Sequence, residues 1–283
     1  MKIKTLKLYL GGIRSYQLDL GIDCSAFGDP RLERTIQGIK RDHQEPELRQ
    51  RTPLTRPYLL RLLTCLPQMA LNYDNIVLRA AFTLAFAGFL RVGEFTYKAV
   101  DRELGSSFSN WFLTKSSIRI LGGGTHMELV LPSSKTDPFR KGIKLTIAAT
   151  HDGGCPVGAM KGLLAIDTHR HPHSPLFCIG EWDQRPFTRE YVVERLQKLA
   201  VMAGLRNGQW NGHSFRRGAA TWAAEVGISE REIQTLGRWR SDAYKAYIEY
   251  SPAEQISLSR RFQANHTLQP QRSSACLRRG ARQ

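Results

Sequence analysis

The stretch "NIVLRAAFTLAFAGFLRVGEF", residues 75–95, constrains the fold more than any other part of the chain. It reads as a helix with apolar residues on nearly every face, and such a helix is stable only when other elements surround it. That helix is therefore expected to be buried. That helix runs out into Arg91, Gly93 and Glu94, so rigid core structure delivers a charged group. Glu94 stands three residues past Arg91, placed to pair with it or to orient a neighbouring cation.

The surrounding elements are mostly helical. Residues 5–17 place Leu6, Tyr9, Leu10 and Ile13 at helical spacing, and "PRLERTIQGIKRDHQ" adds a second helix with Leu32, Ile36 and Ile39 on one side. The polar, proline-bearing stretch at 42–53 is the predicted linker. Beyond it, "TRPYLLRLLTCLPQM" predicts a helix ahead of the buried one. Then "SSIRIL", "MELVLP" and "GIKLTIA" predict a small antiparallel sheet, with "GGGT" at 122–125 as a hairpin turn. No Lys-Ser/Thr pair opening a helix follows those glycines, so they are not a phosphate-binding loop. Helices resume in "CPVGAMKGLLAID", "TREYVVERLQKLAVMAG", "SFRRGAATWAAEVG", "SEREIQTLGRW" and "RWRSDAYKAYIEYSP". The fold class is α+β, mostly helical, with one small antiparallel sheet. Residues 266–283 form a basic tail predicted to be disordered.

Charge narrows the partners. Lys and Arg number 41 against 25 acidic residues, a formal charge of +16. Such an excess suits a polyanion, because each neutralised phosphate releases condensed counterions. Nucleic-acid enzymes, ribosomal-type proteins and binders of anionic membranes all satisfy it. No apolar run reaches the roughly 18 residues needed to span a bilayer. Lys7, Gly11 and Gly12 interrupt the apolar start, which favours an amphipathic helix over a signal peptide. Cys24, Cys65, Cys155, Cys178 and Cys276 are odd in number and share no close pairing, the pattern of free thiols in a reducing compartment.

Several weak signals carry possible chemistry. In "HSFRRG", His213 and Arg216 stand at i, i+3 and project together from a helix start, where an anion such as phosphate suits both. Arg217 points elsewhere. Lys135, in "LPSSKTDPFRKG", sits in a turn after a strand and can reach a substrate to donate a proton, with Lys141 as its rival. Tyr244, Tyr247 and Tyr250 are three apart, either a packing stripe or a stripe with one phenol nucleophile in it. His169, His171 and His173 near Cys178 lack a second ligand pair at structural-zinc spacing and read as an exposed basic loop. Trp210 and Trp222 fall at helical apolar positions and read as core.

Taken together the signals are specific. Arg91 in "FLRVGEF", Lys135 in "SSKTD", His213 and Arg216 in "HSFRRG", Trp239 in "LGRWRS" and Tyr247 in "KAYIE" form an ordered series that resembles the tyrosine recombinase (phage integrase) family. The resemblance covers 54–262 and, weakly, 4–42. Within the family, "LGRWRSDAYKAYI" is most similar to recombinases of eukaryotic mobile elements, the Crypton and DIRS-like groups. The implied organisation is a truncated remnant of a helical, SAM-like core-binding domain at 1–46, a catalytic DNA-breaking-rejoining domain at 47–265, and the tail.

The resemblance also implies roles. Tyr247 would attack the scissile phosphate, leaving a 3′-phosphotyrosyl enzyme and a free 5′-hydroxyl. Arg91 and Arg216 would neutralise the nonbridging oxygens, His213 would assist proton transfer from the tyrosine, and Lys135 would protonate the leaving oxygen. Trp239 occupies the position where many members have His, and Glu94 the supporting acidic position. Family spacing from that position to the tyrosine is usually nine, whereas Trp239 to Tyr247 is eight, which keeps Tyr250 in play. No metal, nucleotide or other cofactor is implied. The expected partner is double-stranded DNA, with a tetramer on paired sites, no membrane, and an intracellular location, nuclear if eukaryotic and cytoplasmic or nucleoid if bacterial. A type IB topoisomerase and a catalytically silent DNA-binding module derived from a recombinase remain as rivals.

Overall fold

A computed structural model describes residues 3–42, 52–69, 72–133, 137, 141–206, 208–247, 256, 259 and 260. The chain divides into two compact units, Met1–Gln50 and Arg51–Gln283, with the division inside the predicted linker.

In the first unit, helices α1 (Ile3–Asp19) and α2 (Pro30–Asp42) flank a short turn of 3-10 helix at Ser25–Gly28. Pro at the first position of α2 fits a helix start, where its missing N–H has no helical partner to lose. Ahead of it the Asp29 carboxylate accepts from the Arg31 guanidinium and, at 2.7 Å, from the Arg31 amide, and these bonds hold the acid below its ordinary range. Lys7 and Glu33 pair across the two helices at 3.3 Å. Ile3 and Ile36 are buried, but Tyr9 and Ile13, expected on the apolar side of α1, are exposed.

In the second unit, α3 (Arg56–Cys65) leads into the central helix α4 (Asn72–Ala87). Val77, Leu78, Ala80, Ala81, Phe82, Leu84 and Ala85 are all buried to 1% exposure or less, so α4 is enclosed on every side as its sequence requires. Strands β1 (Ile118–Leu121), β2 (His126–Leu131) and β3 (Ile143–Ala148) form an antiparallel sheet in that order. Met127, Leu129 and Leu131 of β2 turn inward at every second position, which fixes the register Ile118↔Leu129↔Leu145. The glycines at Gly122–Gly124 all take positive φ and make the predicted turn. Helices α5 (Pro156–Ile166), α6 (Arg189–Met202), α7 (Ser214–Glu225) and α8 (Glu230–Gly237) complete the unit, with α5 and α7 packed on α4.

Two features were not expected. A long run of 3-10 helix, Ala99–Asn110, is broken at Gly105, and a two-stranded ladder joins β4 (Cys178–Ile179) to β5 (Arg185–Pro186). Within "RWRSDAYKAYIEYSP", where a helix was expected, the described residues Asp242–Tyr247 form the tighter 3-10 helix. Cys24, Cys65, Cys155 and Cys178 are free thiols, as expected for these four. Among the described residues, no helix is long and apolar enough to cross a membrane.

Candidate active site

The site is built on the C-terminal end of α4, where the last carbonyls have no helical partners. Phe89 adopts a left-handed conformation, φ 49°, which turns the chain out of the helix. The exposed carbonyls are gripped by two arginines from distant sequence. Arg238 Nη1 donates to the Gly88 carbonyl at 2.7 Å, and Arg216 Nη1 donates to that of Phe89 at 2.6 Å. Cations suit this end of a helix, where the carbonyl dipoles concentrate negative potential.

Arg91 lies just beyond, at the head of a 3-10 turn, Val92–Glu94. The pairing expected from the sequence is present: Arg91 Nη1 donates to Glu94 Oε1 at 2.9 Å, and the Arg91 amide donates to Oε2 at 2.9 Å. Glu94 Oε2 also accepts from Arg238 Nη2 at 2.9 Å, so one carboxylate joins two guanidinium groups.

Helix α7 brings His213 and Arg216. His213 is the N-cap residue, half-buried, and its amide donates to Asn211 Oδ1 at 2.9 Å. A Cβ on the preceding Gly212 would strike Val92, so the start of α7 lies against the turn that carries Arg91. A Cβ on Gly218 would collide with the Leu54 backbone, and the Leu54 amide donates to the Ser214 carbonyl at 3.0 Å, which fixes the helix from its other side.

Arg216 turns inward. It is 1% exposed, with Nη2 bonded to the Gly237 carbonyl and the guanidinium 4.2 Å from the centre of the Trp239 ring. The physical reason is the pair of outward carbonyls, from Phe89 and Gly237, which a guanidinium fork satisfies together. Trp239 is itself buried, with its edge toward Phe89 and its ring 6.1 Å from that of Tyr244. Gly237 makes this possible, since any Cβ there would run into the indole. Arg217 is half-buried.

Sequence reasoning missed Arg238. It ends α8 in the left-handed conformation, φ 59°, unusual for a residue with a side chain. Burial holds its pKa below the ordinary arginine value; Arg91 pushes in the same direction and Glu94 opposes it. A signal was available: Arg238 lies nine residues before Tyr247 (247 − 238), the interval the family resemblance expects. Arg238, Trp239, Arg231 and Arg240 line an open cavity of about 440 Å³ together with Ile143, Gln234 and Thr235. A larger cavity of about 550 Å³, beside Tyr58 and Trp210, holds none of the candidate residues.

For Tyr247 the structure describes the backbone, which closes the Asp242–Tyr247 turn. Lys135 and Tyr250 lie outside the described residues, and the rival Lys141 is exposed. Tyr244 is buried as packing, its hydroxyl donating to Glu230 at 2.8 Å. Trp210 is buried and Trp222 half-buried. His169, His171 and His173 are exposed, whereas Cys178 is fully buried against the Tyr73 hydroxyl.

No protein-family model matches the chain, and no curated protein matches its sequence. Solved structures do match in fold. A XerH site-specific recombinase bound to difH substrate, in a pre-cleavage complex, superposes with a TM-score of 0.51 at 17% identity over 74% of this chain and 53% of that one. The Tn1549 transposon integrase in complex with transposon right end DNA gives 0.53 at 12% identity over 80% and 70%. XerA recombinase gives 0.50 at 16% identity over 77% and 66%. The chain thus spans about half the length of the XerH protein it matches.

Proposed function

From the tyrosine recombinase fold that this chain adopts, we propose that the Arg51–Gln283 unit cuts and rejoins double-stranded DNA in site-specific recombination or integration. The observation that carries this reading is the meeting of Arg91 and Arg238 on a single carboxylate, Glu94, with Arg216 on the neighbouring Phe89 carbonyl, beside the start of the His213 helix. Two guanidinium groups sharing one carboxylate leave a surplus of positive charge in a partly dry place. A phosphodiester supplies the missing anion.

In this mechanism the Tyr247 Oη attacks phosphorus and forms a P–Oη bond as the bond from phosphorus to the 5′-oxygen breaks. The tyrosine proton leaves with help from His213, and Lys135 supplies a proton to the departing 5′-oxygen. Arg91 is the guanidinium open to the incoming phosphate, while Trp239 must leave the face of Arg216 before that arginine can touch it. Rejoining reverses the steps with a second 5′-hydroxyl. Met1–Gln50 would contribute to the DNA clamp, and assembly on paired sites would be tetrameric.

The test is covalent trapping. A suicide DNA substrate, whose 5′-hydroxyl fragment diffuses away, should give a protein–DNA adduct that Tyr247→Phe abolishes and EDTA leaves unchanged. Adduct formation by Tyr247→Phe would move the nucleophile to Tyr250. Supercoil relaxation without a target sequence would instead favour the topoisomerase reading. The covered face of Arg216 favours one alternative, a DNA-binding module without turnover, which would bind duplex in a salt-sensitive manner and give no adduct.

A further inference from the structure

The Glu94 carboxylate is nearly buried, with a side-chain exposure of 6%, and so is the Arg238 side chain at 8%, whereas Arg91 keeps 22%. Two cations share one anion, so the group of three carries a net charge of +1. Where that charge resides depends on which arginine takes the larger share of Glu94. Arg238 cannot turn away: Nη1 is held by the Gly88 carbonyl, Nη2 by Glu94, and its backbone is fixed in the left-handed cap of α8. Its Nε is buried with no hydrogen-bond partner among the described residues. Arg91 holds Glu94 through one nitrogen of its side chain, Nη1, and through its own amide.

We propose that Arg238 is a positioning residue: it takes up the charge of Glu94 and leaves Arg91 with an uncompensated positive charge facing the phosphate. This rests on the reading of the unit as a DNA strand-transfer enzyme. In the absence of Arg238, Glu94 would neutralise Arg91 in a site with little water, and the phosphate would meet an ion pair in place of a free cation. The carboxylate keeps its other task, aiming Arg91, because its bonds to the Arg91 amide and guanidinium do not involve Arg238.

The test uses the full chain, a suicide duplex and single-turnover adduct formation. Arg238→Met should slow the adduct about tenfold or more while duplex affinity stays within about twofold, since the loss falls on the transition state. Adding Glu94→Gln to Arg238→Met should restore about threefold or more of the lost rate, because the carboxylate that quenches Arg91 is gone. A purely architectural role predicts further loss in the double variant. An Arg238→Met rate equal to wild type, or a double variant no faster than Arg238→Met, overturns the proposal.

Should Arg238→Met melt below the assay temperature, Arg238→Lys decides the matter. It retains the charge but not the fork, so cleavage within about threefold of wild type is expected, and a loss of tenfold or more overturns the proposal. If the wild-type chain forms no adduct, the strand-transfer reading fails on its own. The charge sharing is then read from the guanidinium resonances of Arg91 by NMR. They should shift in Arg238→Met and move back on addition of Glu94→Gln; resonances unmoved by Arg238→Met overturn it.

Discussion

Arg170 and Arg238 are both arginines with almost no exposed side chain, yet they are held in opposite ways. Arg170 is saturated. Its Nε donates to Asp167 Oδ1 at 2.5 Å, Nη2 bonds the other carboxylate oxygen, and Nη1 donates to the Pro175 carbonyl at 2.7 Å. Both carboxylates are shared, Asp167 with Lys115 at 3.8 Å and Glu94 with Arg91, but Arg238 keeps a buried nitrogen without a partner among the described residues. A saturated guanidinium pins loops together and has nothing left to offer a ligand. In the Glu94 cluster one of the two cations, Arg91, keeps 22% of its side chain exposed and is placed to meet an anion.

The largest effect should come from breaking the saturated pair. Asp167→Ala strands a buried guanidinium and should cost about 3–5 kcal/mol in denaturant unfolding, while protein that remains folded in the cold keeps its cleavage rate. A cleavage defect without loss of stability would dissolve the distinction between the two regions. Arg216→Met should do the reverse: adduct formation falls by about 10²–10³-fold, the cost typical of removing one donor to a developing oxyanion. Normal cleavage by this variant would make Arg216 a structural pin like Arg170.

A smaller effect is readable in alkali. Asp74 accepts from the Gly180 amide at 2.7 Å and from the Tyr191 hydroxyl at 3.2 Å. Burial, with the Asp74 charge adding to it, pushes the Tyr191 phenol up to about 12. A raised folded-state pKa means that this contribution to stability is complete below the ordinary phenol value of about 10. It is lost as pH rises from there through the folded value. Tyr191→Phe should remove that part of the alkaline fall in melting temperature, and an unaltered fall would contradict the assignment. The smallest effect should be that of Tyr244→Phe. Losing the bond to the exposed Glu230 should lower the melting temperature only slightly and leave cleavage intact, in contrast to Tyr247→Phe.

Features held by near neighbours in the chain and features held by distant carbonyls differ in how far the sequence reveals them. The central helix, the inward alternation on β2 and the Arg91–Glu94 pair follow from local periodicity, because each depends on residues within a few positions of one another. Arg238 depends on a carbonyl 150 residues away and on a left-handed backbone that no propensity favours, so helical periodicity hides it and only its interval to Tyr247 points to it. Arg216 shows the same limit. Its spacing from His213 was legible, but the carbonyls of Phe89 and Gly237 that draw it inward belong to other elements. The β4–β5 ladder has two residues in each strand, too few for a period to show. Tertiary satisfaction of backbone groups overrides the helical face in these places.

The Leu54–Ser214 hydrogen bond gives the unit a mechanical property. Gly218 lets α7 lie flush against the chain at Leu54, and a single amide couples that chain to the first turn of the helix bearing His213 and Arg216. The bond therefore ties the short segment ahead of α3 directly to the helix that carries part of the candidate catalytic apparatus, without passing through the sheet.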